Sequence, residues 1–179
     1  MDDFQIIKYI DLCKLGKTDA FKYIVSEYQR LVFTLAFKMV CNEADAEDIT
    51  QETFIKAWQN IARYKRQYKF STWIYKIAVN ACYDKLRSRH NIENVSLSGY
   101  NAASEINQEE SLLNEELKEL ILKFTSELSP KQKLIFILSE IEELKIEEII
   151  QITGMTSSKI KSNLYLARKY IKSKLSQYE

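Results

Sequence analysis

Hydrophobic residues along this chain recur at intervals of three and four, the spacing of one helix face, and no stretch alternates as a half-buried strand does. Phe4, Ile7, Ile10 and Leu12 mark a first helix over 4–15, which Gly16 is suited to stop. Thr18 is placed to cap a second helix, whose apolar face runs through Phe21, Ile24, Val25, Tyr28, Val32, Leu35, Ala36 and Met39. Asn42 caps a third over 43–61, with acids in its first turn, where the helix dipole favours them. Periodicity lapses between 62 and 70. It resumes from Ser71 to Arg89 through Trp73, Ile74, Ile77, Ala78, Ala81 and Leu86. Residues 91–111 are rich in Asn, Ser and Glu, carry no repeating apolar positions, and have the character of a linker. Helical pattern returns over 112–128. Ser129-Pro130-Lys131-Gln132 then combines an N-cap, a proline at the first helical position and a capping box. Helices over 131–142, 146–152 and 157–174 follow. The pattern predicts an all-α chain of two small helical domains, 1–90 and 112–179, joined by a polar acidic linker over 91–111.

The last two helices have the layout of a helix-turn-helix. Ile146, Ile149 and Ile150 face inward on the first, and Thr153-Gly154-Met155-Thr156 supplies the turn, with glycine where a positive φ is expected. Thr156 caps the second helix, which buries Ile160, Leu164, Ala167 and Ile171. Ser158, Lys161, Ser162, Tyr165 and Lys169 occupy the opposite arc, where side chains can reach base edges and phosphates in a major groove. From Met155 to Leu175 there are six cations and no acid, whereas the helix before the turn is acidic. A basic face alone is ordinary solvated surface; with the turn chemistry and the core stripe it points to DNA.

In the third helix Phe54, Ala57, Trp58 and Ile61 point inward, while Asp48, Gln51, Glu52, Ile55 and Gln59 share another face. Acids, amides and one apolar residue suit a basic partner with a small greasy spot, and suit a solvated face equally well. From Ala62 to His90 the balance inverts: eight cations face a single acid, Asp84, and Tyr64, Tyr68, Phe70, Trp73, Tyr75 and Tyr83 are interleaved. Some of these rings, Trp73 above all, belong to a core. Cations alternating with rings suit opened DNA, which offers phosphates to the charges and unstacked bases to the flat faces.

Composition excludes several classes. The 179 residues are 46% hydrophobic with 3 Gly and 1 Pro, enough for a packed helical core and too few breakers for anything loop-rich. The net charge of +1 conceals the local segregation described above. Cys13, Cys41 and Cys82 are scattered, odd in number and set in apolar stretches, as reduced core residues of a cytoplasmic protein are. The acidic Met1-Asp2-Asp3 start is unlike a signal peptide, and no apolar run reaches the ~18 residues of a membrane span. The single histidine, His90, has no Cys, Asp or Glu at ligand spacing, and there is no P-loop or nucleophile elbow, so no metal, cofactor or catalytic residue is expected.

Asp45-Ala46-Glu47-Asp48-Ile49-Thr50-Gln51-Glu52-Thr53-Phe54-Ile55-Lys56-Ala57-Trp58 resembles the polymerase-binding helix of bacterial sigma factors. Tyr68-Lys69-Phe70-Ser71-Thr72-Trp73 through Ile77-Ala78-Val79-Asn80 resembles the promoter-melting segment that follows it. The stretch from Leu128-Ser129-Pro130 to Leu175 is similar to that group's helix-turn-helix domain, and two domains with a short linker resemble the extracytoplasmic-function subfamily. The resemblance covers about 20–90 and 112–176. It implies a protein that binds core RNA polymerase and directs promoter recognition, with domain 2 at 1–90 and domain 4 at 112–179. Asp48, Gln51, Glu52, Phe54 and Ile55 would dock on the polymerase. Arg63, Lys65, Arg66, Lys69 and Phe70 of the loop, with Ser71, Thr72 and Asn80, would capture a flipped base of the minus-ten element, and Arg87 and Arg89 would hold phosphates. Thr156, Ser157, Ser158, Lys159, Lys161, Ser162, Tyr165, Arg168 and Lys169 would read the minus-thirty-five element. The linker would lie in the polymerase cleft, and an anti-sigma factor is a further implied partner.

This chain departs from the family pattern at five places. Glu143 and Lys145 stand where Gly and Ser are common, Ile150 where Ala is, Lys159 for Thr and Asn163 for Arg. Two other functions compete. A stand-alone helix-turn-helix regulator would leave the 42–90 motif without purpose, and a sequestering protein would leave the basic segment without one.

Overall fold

The computed structural model describes residues 3–95, 124–125 and 127–176, and the chain divides into two compact units, Met1–Ser88 and Arg89–Glu179. The described elements are helical throughout, and no strand occurs among them.

In the first unit α1 spans Asp3–Lys14 and ends at Gly16, whose φ of +81° lets the chain reverse. Its buried side is Ile6, Ile10 and Cys13 rather than the expected Phe4–Ile7 stripe, and Phe4 is 78% exposed. A second i, i+4, i+7 track was available in the same sequence, and tertiary packing selected it. Thr18 does not cap α2. Thr18–Ala20 form a 3-10 turn that runs straight into α2, Phe21–Val40, whose N-cap position, Ala20, makes no side-chain cap. Ile24, Tyr28, Val32, Leu35, Ala36, Met39 and Val40 are buried along α2, largely as the spacing predicts. Cys41 closes the helix in the left-handed region (φ +54°) and is half-buried, so it is a cap rather than a core residue; Cys13 and Cys82 are buried.

Asn42 caps α3, Glu43–Asn60, its Oδ1 accepting from the Asp45 N–H at 2.9 Å. α3 packs along α2 through Ala46, Ile49, Thr53, Phe54 and Ala57, and the Phe54 ring meets Phe21 edge-on at 6.4 Å. A 3-10 turn at Ile61–Arg63 and a loop lead to α4, Phe70–Val95. α4 therefore continues past Arg89, and residues 91–95 are helix, not linker. No Gly or Pro interrupts them, and adding residues to an existing helix costs little. The linker from residue 96 on lies outside the described residues, as does the helix expected over 112–128 apart from 124–125 and 127–128.

In the second unit Ser129 caps α5, Pro130–Phe136, with both halves of the capping box present. The helix expected over 131–142 changes character at Ile137: Ile137–Ile141 form a π-turn closed by Glu142 N–H to Ile137 C=O at 2.9 Å. Glu143, at φ +51°, then redirects the chain. α6 spans Ile146–Thr153 and α7 Ser157–Leu175. Ile149 and Ile152 of α6 and Ile160 and Ala167 of α7 are buried with Leu134, Ile135, Ile137 and Leu138, each large side chain contributing about 1.5–3 kcal/mol. Ile146, Ile150, Leu164 and Ile171 are half-buried at the margin of this core.

Candidate nucleic-acid interface

Three surfaces carry the predicted residues. On α3 the solvent face presents Asp48, Gln51 and Glu52 around Ile55, which is 57% exposed although aliphatic. The acids are not idle. Lys85 of α4 reaches Asp45 at 2.8 Å and Asp48 at 3.2 Å, and Lys56 pairs with Glu52 at 2.6 Å. The Asp45 hydrogen bond, first among these contacts, holds the Lys85 ammonium above its ordinary pKa. Phe54, grouped with this face by resemblance, is only 7% exposed and packs in the core against Phe21.

The second surface is the loop between the Ile61–Arg63 turn and α4. Lys65, Arg66 and Lys69 are exposed there, with Asn80 and Arg87 exposed along α4, Ser71 and Arg89 half-buried, and Phe70 and Thr72 buried. Most interleaved rings turn inward. Tyr64, Phe70 and Tyr75 are buried and Trp73 and Tyr83 half-buried, which leaves Tyr68, at 43% exposure, as the loop's exposed ring. The count of rings in this segment therefore reflects core packing as well as any surface role, and Tyr68 is the residue the sequence did not single out. Tyr64 is the hub: its ring lies 5.2 Å from Phe70 and 5.5 Å from Trp73, and its hydroxyl donates to the Tyr68 carbonyl at 2.7 Å. From α1, Lys14 Nζ donates to the Tyr64 carbonyl at 2.8 Å, and Asp11 pairs with Arg66. Arg63 donates to Asn60 at 3.3 Å.

The helix-turn-helix is the third surface. Gly154 takes φ +68°, as its position in the turn requires. Thr153 Oγ1 donates to the Ile149 carbonyl at 2.7 Å and accepts from the Met155 N–H at 3.2 Å, stapling the turn to α6. Thr156 Oγ1 caps α7 by accepting from Lys159 N–H at 3.4 Å. Beyond it Ser158, Lys159, Lys161, Ser162, Tyr165, Arg168 and Lys169 are exposed and Ser157 half-buried. Tyr165, 65% exposed, and Leu166, 48% exposed, border a shallow hollow with Lys161 and Ser162. Arg168 does not project freely: it forms a two-point pair with Glu140 of the π-turn, 2.8 and 3.3 Å, and this holds the Glu140 carboxyl below its ordinary range. Asn163 donates to its own helix at the Lys159 carbonyl, 2.7 Å.

A family model described as Sigma-70 region 2 matches residues 24–92, and one described as Sigma-70, region 4 matches 118–171. The ECF RNA polymerase sigma factor SigW of Bacillus subtilis is 30% identical, covering 97% of this chain and 98% of its own length. A probable RNA polymerase sigma factor of Haemophilus influenzae is 34% identical over 76% of this chain and 80% of its own. Among solved structures, CnrH in complex with the cytosolic domain of CnrY superposes with a TM-score of 0.73 at 16% identity, covering 99% of this chain and 100% of that one. RpoE from Bartonella quintana, in complex with the anti-sigma factor NepR, gives 0.73 at 24% identity, covering 87% and 96%. Matched by both family models and 30% identical to SigW along nearly its whole length, the chain belongs to the ECF RNA polymerase sigma factors.

Proposed function

We propose that this sigma factor divides its work between its units: residues 1–90 bind core RNA polymerase and handle the minus-ten element, and residues 112–179 read the minus-thirty-five element. Asp48, Gln51, Glu52 and Ile55 form the polymerase-docking patch, with Phe54 beneath it. The observation that carries this reading is the segregation of charge. The acidic α3 face surrounds an exposed isoleucine, while the loop before α4 and the outer arc of α7 are basic. On the second surface Lys65, Arg66, Lys69, Arg87 and Arg89 meet phosphates and Tyr68 offers its ring to an unpaired base, with Phe70 and Thr72 shaping the loop from inside. On α7, Ser158, Lys161, Ser162, Tyr165 and Lys169 face the major groove, and Arg168 reaches DNA only from its pair with Glu140.

The chain contributes binding and no catalysis of its own, works in the cytoplasm without a cofactor, and is held in check by an anti-sigma factor covering the Asp48–Glu52 face. Among the described residues no helix is long and apolar enough to cross a membrane. Reconstituted transcription tests the reading. Core polymerase with this chain should initiate from DNA that the pair selects from a random library, whereas core polymerase alone should not. Sequence-selective DNA binding by the chain without any gain in initiation would favour the stand-alone regulator.

A further inference from the structure

The loop between Tyr64 and Lys69 is short, cationic and solvent-facing, and such a segment ordinarily samples many conformations. Here three connections restrain it. Lys14 Nζ donates to the Tyr64 carbonyl at 2.8 Å and stands 5.6 Å from the Tyr64 ring centroid. The Tyr64 ring is buried between Phe70 and Trp73, and its hydroxyl reaches across the loop to the Tyr68 carbonyl at 2.7 Å. Asp11 pairs with Arg66. Two of the three originate on α1, in residues that precede the region 2 match at residue 24. The first and last peptides of the loop are thus tied to each other through Tyr64 and to α1 through Lys14.

We infer that α1 is a positioning element for DNA opening: Lys14 and Asp11 hold Tyr64 and Arg66, and Tyr64 in turn fixes the backbone of Tyr68 so that its exposed ring is set in place before DNA arrives. The chemistry is preorganisation. A loop already ordered spends none of its binding free energy on ordering when it receives an unpaired base. This inference rests on the proposal that the loop handles opened DNA.

The test uses holoenzyme on promoter DNA selected by that holoenzyme, with 2-aminopurine in the minus-ten element reporting opening, and core-polymerase affinity measured in parallel. Lys14→Met and Tyr64→Phe should each slow opening about tenfold, the weight of one part-buried, charge-assisted or neutral hydrogen bond closing a loop. Both should leave core-polymerase affinity and helicity as in the wild type and lower the melting temperature by no more than a few degrees, and Lys14→Arg should keep wild-type opening. Tyr68→Ala reports on the loop itself. If Tyr68→Ala is impaired while Lys14→Met and Tyr64→Phe open DNA at the wild-type rate, the inference about α1 fails and the loop assignment stands. If all three open normally, both fail. A loss of polymerase affinity equal to the loss of opening would also overturn the inference, since α1 would then be acting on the docking surface.

Discussion

Glu143 holds φ at +51°, a conformation in which an L side chain crowds the backbone and glycine does not. Strain of about 1–2 kcal/mol there exceeds the extra chain entropy that glycine brings, about 0.5–1 kcal/mol. Glu143→Gly should therefore stabilise the second unit by about 0.5–1 kcal/mol, visible as a rise of a few degrees in melting temperature. An unchanged or lower melting temperature would show that the exposed Glu143 side chain contributes something the backbone strain conceals. In the first unit, burial pushes the Cys82 thiol up to about 12 and the neighbouring Tyr83 hydroxyl likewise to about 12. The unfolded chain releases these protons at about pH 8.5 and about pH 10. Between those values and pH 12 the folded chain binds more protons than the unfolded one, so stability is intact below about pH 8 and falls as pH rises. The urea midpoint should drop from pH 8 to pH 10.5, and Cys82→Ala should reduce the drop; an identical drop in that variant would mean the thiol plays no part.

Lys161 sits on the outer arc of α7 among exposed Ser158, Ser162 and Tyr165. A lysine there acts as a point charge toward phosphate, so Lys161→Ala should weaken binding to all sequences and make the salt dependence shallower by about one unit of slope. A loss confined to one base pair would make Lys161 a base reader instead. Whole elements were the most legible part of the sequence: the caps at Asn42 and Ser129, the turn at Gly154 and the buried stripe of α2 all follow from residue type and spacing. The misses share a cause, which is that two local solutions were available and long-range packing chose between them. α1 had two apolar tracks, Thr18 could cap or enter a 3-10 turn, and nothing in 90–95 dictated where α4 stops. The site shows the same division. The identity of the outward residues on α3 and α7 could be taken from periodicity. Which rings of the basic segment point outward, and the ties of Lys14 to Tyr64, Lys85 to Asp48 and Arg168 to Glu140, join residues far apart in sequence and leave no local signature.

Across the whole molecule, a net charge of +1 is the residue of large opposed surfaces, an acidic one on α3 and basic ones on the loop and α7. In the proposed division of work, the acidic face meets the protein partner and the basic surfaces meet DNA. Being an ECF sigma factor fixes the pair of partners, core polymerase and promoter, and the proposed polymerase-docking surface is the Asp48–Glu52 face with Ile55. The most direct test is the affinity of the purified full chain for core RNA polymerase, beside Glu52→Lys and Asp48→Lys. Each reversal breaks only an exposed ion pair, so the variants should keep wild-type helicity and melt within a few degrees of the wild type while each loses affinity by about tenfold or more. Polymerase binding by both folded variants as tight as that of the wild type would contradict the account.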